Sequence, residues 1–196
     1  TPIERTQIDP QFNGRGFYGI AGGASGFHTL AHIREGILEK KFKAQVIDVT
    51  RDFGILSIQG RNSRKILSKI TDVDFSNEKF LFNSAKLVEI DGIKLRILRV
   101  SFVGELGFEL HIPRDNCATI YDKITDAGRE FDVKNAGFRA LYSLSSEKGY
   151  HLWGHDLRSD DSPLEANLGF TCRQPRDEKD TFRGCDALLQ RGIQKR

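Results

Sequence analysis

Residues 101–110, SFVGELGFEL, decide how the chain folds. They follow an apolar run, KLRILRV at 94–100, and lead to a stop at Pro113. Leu106, Phe108, Leu110 and Ile112 alternate with Gly107, Glu109 and His111, the period of a half-buried strand. Gly104 and Gly107 flank Glu105 and Leu106, so the spacing predicts a hairpin that turns at Glu105 and returns through Glu109. A carboxylate on a strand is rigidly held and can accept two parallel hydrogen bonds from a fork of N–H donors. Glu109 is therefore the first candidate for a binding role, against the plain alternative of a solvated strand-face residue.

The same alternation predicts a hairpin over 80–90 and 93–103 across Asp91-Gly92, a strong two-residue turn signal. A further hairpin is expected over 45–49 and 54–58 across Thr50-Arg51-Asp52. Helical spacing predicts a helix over about 27–41 on Leu30, Ile33, Ile37 and Leu38. Another follows over about 63–70 on Ile66, Leu67 and Ile70, capped by Asn62 or Ser63. Asp115 or Asn116 caps a helix over about 117–131, with Ile120, Tyr121, Ile124 and Ala127 as its buried stripe. Asn135 caps the next, to about 147, with Ala140, Leu141 and Leu144 inward and Arg139, Tyr142, Ser143 and Ser146 on another face. Residues 1–13 read as loop, 173–181 as an exposed charged stretch and 182–191 as a short helix. Residues 148–171 have little periodicity but hold the only Trp, the character of a loop that carries a site. Hairpins interrupted by helices imply an α+β fold with helices on one face of an antiparallel sheet.

Residues 14–19, GRGFYG, fit the GxGxxG spacing, but no apolar strand precedes them and no helix opens within them. Phe17, Tyr18 and Ile20 read instead as a strand between glycine loops. His28 and His32, and His151 and His155, are spaced four apart, yet neither pair has a third ligand and no Glu follows His28. They read as surface or capping histidines, and no metal is expected. Net charge is +3, with 30 basic and 27 acidic residues, too balanced for a nucleic-acid binder. No apolar run approaches the ~20 residues of a membrane span. Charged residues make up 29% and apolar ones 38%, ordinary for a globular protein. Cys117, Cys172 and Cys185 lack CxxC spacing and read as free thiols of a reducing compartment. The chain begins at Thr1 and contains no Met, which reads as a piece of a longer protein.

SFVGELGFELHIP, NAGFRALYSLSSEKGY and DLRSDDSPLEANLGFTC together resemble the folate-binding, aminomethyltransferase-like portion of the sarcosine and dimethylglycine dehydrogenase family. The T-protein of glycine cleavage is a more distant member of that superfamily. The resemblance runs from about residue 17 to 189. It implies ferredoxin-like α+β lobes around a central folate site over residues 1–171, with 172–196 leading toward a C-terminal barrel. It implies an FAD-binding oxidase half before this portion, and a catalytic aspartate before Thr1, so no catalytic residue is assigned here. Tetrahydrofolate is the implied ligand, with Phe102, Glu109, Arg139 and Tyr142 at the site. Glu109 matches the family's pterin-binding glutamate, whose carboxylate suits the parallel N–H and NH₂ of the pterin edge. Phe102 stands where relatives often have a Tyr, keeping the ring face without the hydroxyl. Arg139 matches a folate-contacting arginine of the T-protein, and Tyr142 shares its helical face. Trp153 or Tyr150 could stack on the ligand or simply pack.

The activity so implied is capture, as 5,10-methylenetetrahydrofolate, of the one-carbon unit released when sarcosine is oxidatively demethylated in the mitochondrial matrix. The partners are folate and a sarcosine-derived imine, with no nucleic acid and no membrane. Two alternatives stay open. One is a non-catalytic homologue like the regulatory subunit of pyruvate dehydrogenase phosphatase. The other is a stand-alone aminomethyltransferase served by a lipoyl protein.

Overall fold

The structure, a computed structural model, describes residues 5–8, 16–172, 182 and 184–190. The chain divides into two compact units, Thr1–Tyr142 and Ser143–Arg196.

Strands β3 (Phe53–Gln59), β4 (Ala85–Ile90), β5 (Ile93–Leu98) and β6 (Gly107–Pro113) form an antiparallel sheet in the order β3-β6-β5-β4. β4 and β5 are joined by Asp91 and Gly92, with φ of 48° and 79°, the two left-handed positions that a tight hairpin needs. Helices α2 (Ser63–Leu67) and α3 (Cys117–Gly128) supply Ile66, Leu67, Ile120 and Ile124 to one core with Ile58, Val88, Ile90, Leu95, Ile97, Phe108, Leu110 and Ile112. Helices on one face of an antiparallel sheet are the expected α+β architecture. Phe75 and Phe80, from the connection before β4, pack against Phe108 with ring centres 5.2 and 5.6 Å away. Gly54 lets the start of α3 approach the edge strand: a Cβ there would fall inside the van der Waals radius of Cys117 Sγ.

A second, two-stranded sheet pairs β1 (Arg5–Ile8) with β2 (Phe17–Ile20). β2 is the strand expected between the glycine loops. β1 is not: the polar stretch 1–13 reads as loop, and this strand owes its form to pairing rather than to an apolar pattern of its own. α1 (Gly26–Glu39) half-buries Leu30, Ile33 and Ile37 and leaves Leu38 exposed.

Three other expectations differ. Residues 45–49 form no strand. Asp48 accepts the Thr50 N–H at 2.9 Å in a local turn, Ile47 stays exposed, and β3 pairs with β6 instead. β6 is not half-buried: every residue from Gly107 to Ile112 is buried, because it lies between β3 and β5 and both its faces are covered. The turn of the β5–β6 hairpin is longer than expected, since pairing ends at Leu98↔Glu109 and leaves 99–106 as a connection, with Gly104 at φ 69°.

Helix α4 (Phe138–Glu147) straddles the division between the units and contains no buried residue; Ala140, Leu141 and Leu144 are half-buried. In the second unit, Ser162 Oγ accepts the N–H groups of Leu164 and Glu165 while Glu165 returns a carboxylate to the Ser162 N–H at 2.8 Å. This is a reciprocal capping box on a single turn. Asp161 accepts the Arg158 N–H at 2.7 Å and braces the loop before Pro163. α5 (Cys185–Gln190) is the expected short helix, with Cys185 buried. The stretch 173–181 lies outside the described residues.

Phe108→Ala empties the centre of the aromatic group and is expected to cost about 3–5 kcal/mol. The check is the denaturant midpoint, and a loss below about 1 kcal/mol would show that packing is centred elsewhere. Gly54→Ala is expected to cost about 1–3 kcal/mol by overpacking, most of it recovered in the double variant with Cys117→Ala. Simple additivity of the two losses would disprove the close approach.

Candidate functional site

The face of the sheet turned away from the helices carries the polar chemistry. On it, Glu109 and His111 lie two residues apart on β6 and so point the same way. Glu109 sits between Ser57 of β3 and Leu98 of β5, and His111 between Ile55 and Arg96. Glu109 is 5% exposed, His111 1% and Arg96 3%. Three ionisable side chains thus sit buried on a sheet face, where an uncompensated charge is costly.

Tyr18, carried by β2, lies over this cluster. Its hydroxyl is hydrogen-bonded to His111 Nδ1 at 3.0 Å, and its ring meets the imidazole edge-on at 5.5 Å. The Arg96 guanidinium stacks on the Tyr18 ring 4.0 Å from its centre, a cation–π contact. The edge of Phe53 closes the other side of Tyr18. His111 Nε2 faces Glu109 Oε2 at 3.6 Å, an ion-pair separation rather than a hydrogen bond. Among the described residues, no hydrogen bond engages the Glu109 carboxylate. The result is a largely desolvated carboxylate, a group that can accept a pair of N–H donors.

The expected site residues fall in two places. Glu109 stands in the polar cluster, where it faces the His111 imidazole. Phe102 is 39% exposed in the connection between β5 and β6, not on the partner strand, where Leu98 stands opposite Glu109. Arg139 and Tyr142 lie on the exposed side of α4, where the Tyr142 ring tilts against Phe138 at 6.1 Å. Tyr18, His111 and Arg96 were not singled out by the sequence. The signal for His111 was present, since it shares the period-2 face of Glu109. Tyr18 had none, because only the folded chain brings residues 18 and 111 together.

Among the described residues, no group of three or more His, Cys, Asp and Glu side chains is arranged to hold a metal ion. His155 is engaged by Asp156 at 3.1 Å. Asp156 also accepts the Leu152 N–H, and these bonds, the backbone one foremost, hold its carboxyl below the usual range. Residues 17–19 of the GRGFYG stretch lie in strand β2, and residues 14 and 15 lie outside the described residues. No described helix is long and apolar enough to cross a membrane.

Human mitochondrial sarcosine dehydrogenase is 47% identical over 170 residues, covering 87% of this chain and 18% of the relative. Rat mitochondrial dimethylglycine dehydrogenase is 34% identical over 182 residues, covering 90% of this chain and 21% of the relative. The chain thus spans about a fifth of the length of these curated relatives. The crystal structure of glycine cleavage system aminomethyltransferase T from Bartonella henselae superposes with a TM-score of 0.75 at 26% identity, over 89% of this chain and 45% of that one. The family model described as the GCVT N-terminal domain matches residues 11–175, and the chain belongs to that family.

Proposed function

We propose that this chain is the folate-binding portion of a sarcosine dehydrogenase-type enzyme and that Glu109 receives the pterin edge of tetrahydrofolate. The observation that carries this reading is the Glu109 carboxylate itself. It is buried, rigid on the central strand, and among the described residues has no hydrogen bond of its own. The 2-amino-4-oxo edge of a pterin presents N–H and NH₂ in parallel, and one carboxylate accepts both. Withdrawal from water strengthens such charge-assisted bonds. Phe102, half-exposed after β5, offers a ring face beside the connection, and Arg139 and Tyr142 of α4 are assigned to the outer part of the ligand.

Tetrahydrofolate, when bound, supplies the nitrogen atoms that take up a one-carbon unit as 5,10-methylenetetrahydrofolate. The chain's own contribution is to bind and orient the ring system, which raises effective concentration at the reacting centre. FAD and the oxidation of sarcosine are assigned to polypeptide outside this chain, as is the general base. The relatives' names support an oxidase-linked protein over a stand-alone aminomethyltransferase, since sarcosine dehydrogenase gives 47% identity over 87% of this chain and a curated aminomethyltransferase 38% over 76%. Both named dehydrogenases are mitochondrial, and the matrix is the assigned location.

Glu109→Ala removes the acceptor and is expected to weaken tetrahydrofolate binding by about 2–3 kcal/mol, read by calorimetry on the full-length protein. Equal binding by wild type and variant would end the pterin assignment, and absence of binding by wild type would end the folate reading.

A further inference from the structure

Tyr18 and His111 have no part in the binding reading above, yet both are built into the site. His111 is 1% exposed, and its Nε2 is a buried polar atom without a hydrogen-bond partner among the described residues. Such an atom in a folded protein calls for a reason. Its geometry supplies one: Nε2 points at Glu109 Oε2 across 3.6 Å, while Nδ1 is held by the Tyr18 hydroxyl at 3.0 Å.

A neutral imidazole has one N–H and one lone pair, and the partner of one nitrogen decides the state of the other. A lone pair on Nε2 would face the negative carboxylate and be repelled. With the proton on Nε2, the ring turns a positive N–H edge toward Glu109, and Nδ1 becomes the acceptor that a phenol O–H can satisfy. The charge count agrees. The Arg96 guanidinium lies over the Tyr18 ring and is registered directly opposite His111, so the cluster already holds the cation that balances Glu109.

We propose that Tyr18 and His111 form a positioning relay for Glu109: the Tyr18 hydroxyl donates to His111 Nδ1, fixing the tautomer whose Nε2–H orients the Glu109 carboxylate. The relay rests on the folate reading only for the identity of the ligand. It gives the strand β2 contributed by GRGFYG a role, that of carrying the phenol to the sheet face. The 3.6 Å gap matters here. The imidazole orients the carboxylate without occupying it in a short hydrogen bond, so both oxygens remain acceptors for the incoming N–H pair.

Two measurements on the full-length protein decide the matter. The first uses no ligand. Nitrogen-15 NMR of His111 is expected to show a protonated Nε2 and an unprotonated Nδ1, and Tyr18→Phe is expected to mix the two tautomers. A protonated Nδ1 in wild type, or a spectrum unmoved by Tyr18→Phe, overturns the relay whatever the ligand. The second measures tetrahydrofolate dissociation constants. His111→Leu is expected to bind about tenfold more weakly, because the carboxylate loses the group that orients it. His111→Gln, whose amide N–H occupies the place of Nε2–H, is expected to recover most of that affinity. Rescue by Gln without rescue by Leu separates orientation from packing, and comparison of thermal midpoints identifies any variant that fails to fold. Unchanged binding by His111→Leu, with Glu109→Ala still defective, overturns the relay and leaves the folate reading standing. Failure of wild type to bind tetrahydrofolate overturns the folate reading and the relay's use in it, while the tautomer measurement still reads the relay itself.

Discussion

The structure depends on one strand being buried on both faces. β6 lies inside the sheet, and its two faces meet opposite kinds of chemistry. Phe108, Leu110 and Ile112 enter the apolar core under α2 and α3, and Glu109 and His111 enter a polar cluster closed by Tyr18 and Arg96. Apolar burial on the first face opposes the cost of removing a carboxylate and an imidazole from water on the second. The imidazole edge facing the carboxylate offsets part of that cost without abolishing it, since a buried carboxylate stays costly unless it is fully hydrogen-bonded. A residual demand for hydrogen-bond donors is the ground on which we assign a ligand to this face.

Much of the sheet was legible in the sequence because its signals are local. Asp91-Gly92 announces its hairpin by residue type, and Phe108, Leu110 and Ile112 announce their face by period. α3 carries its inward residues at helical spacing. What was not legible depends on distant partners. β1 looks like loop because only its pairing with β2 makes it a strand, and 45–49 looks like a strand although nothing pairs with it. The amphipathic reading of β6 failed because a sequence window cannot show that a second layer lies over a strand's polar side. The same limit applied at the site: Glu109 could be singled out from its position on the strand, but Tyr18 is 93 residues away from His111 and reaches it only in the fold.

The alternation along β6 also determines which pairing of the sheet is admissible. Side chains on a strand reverse face with every residue, so a slip of one position between β6 and its neighbours would exchange its two sets. The connection 99–106 is long enough not to dictate alignment as a two-residue turn does. Selection of the alignment therefore falls to the side chains. In the slipped arrangement Glu109 and His111 would enter the space beside Phe75 and Phe80, with no polar group there to receive them, at a cost of several kcal/mol for the carboxylate, on the order of that for an unpaired buried ion. The competing sheet is thus excluded by the residues least suited to a core, and the two side chains that mark the site also hold the strand in step.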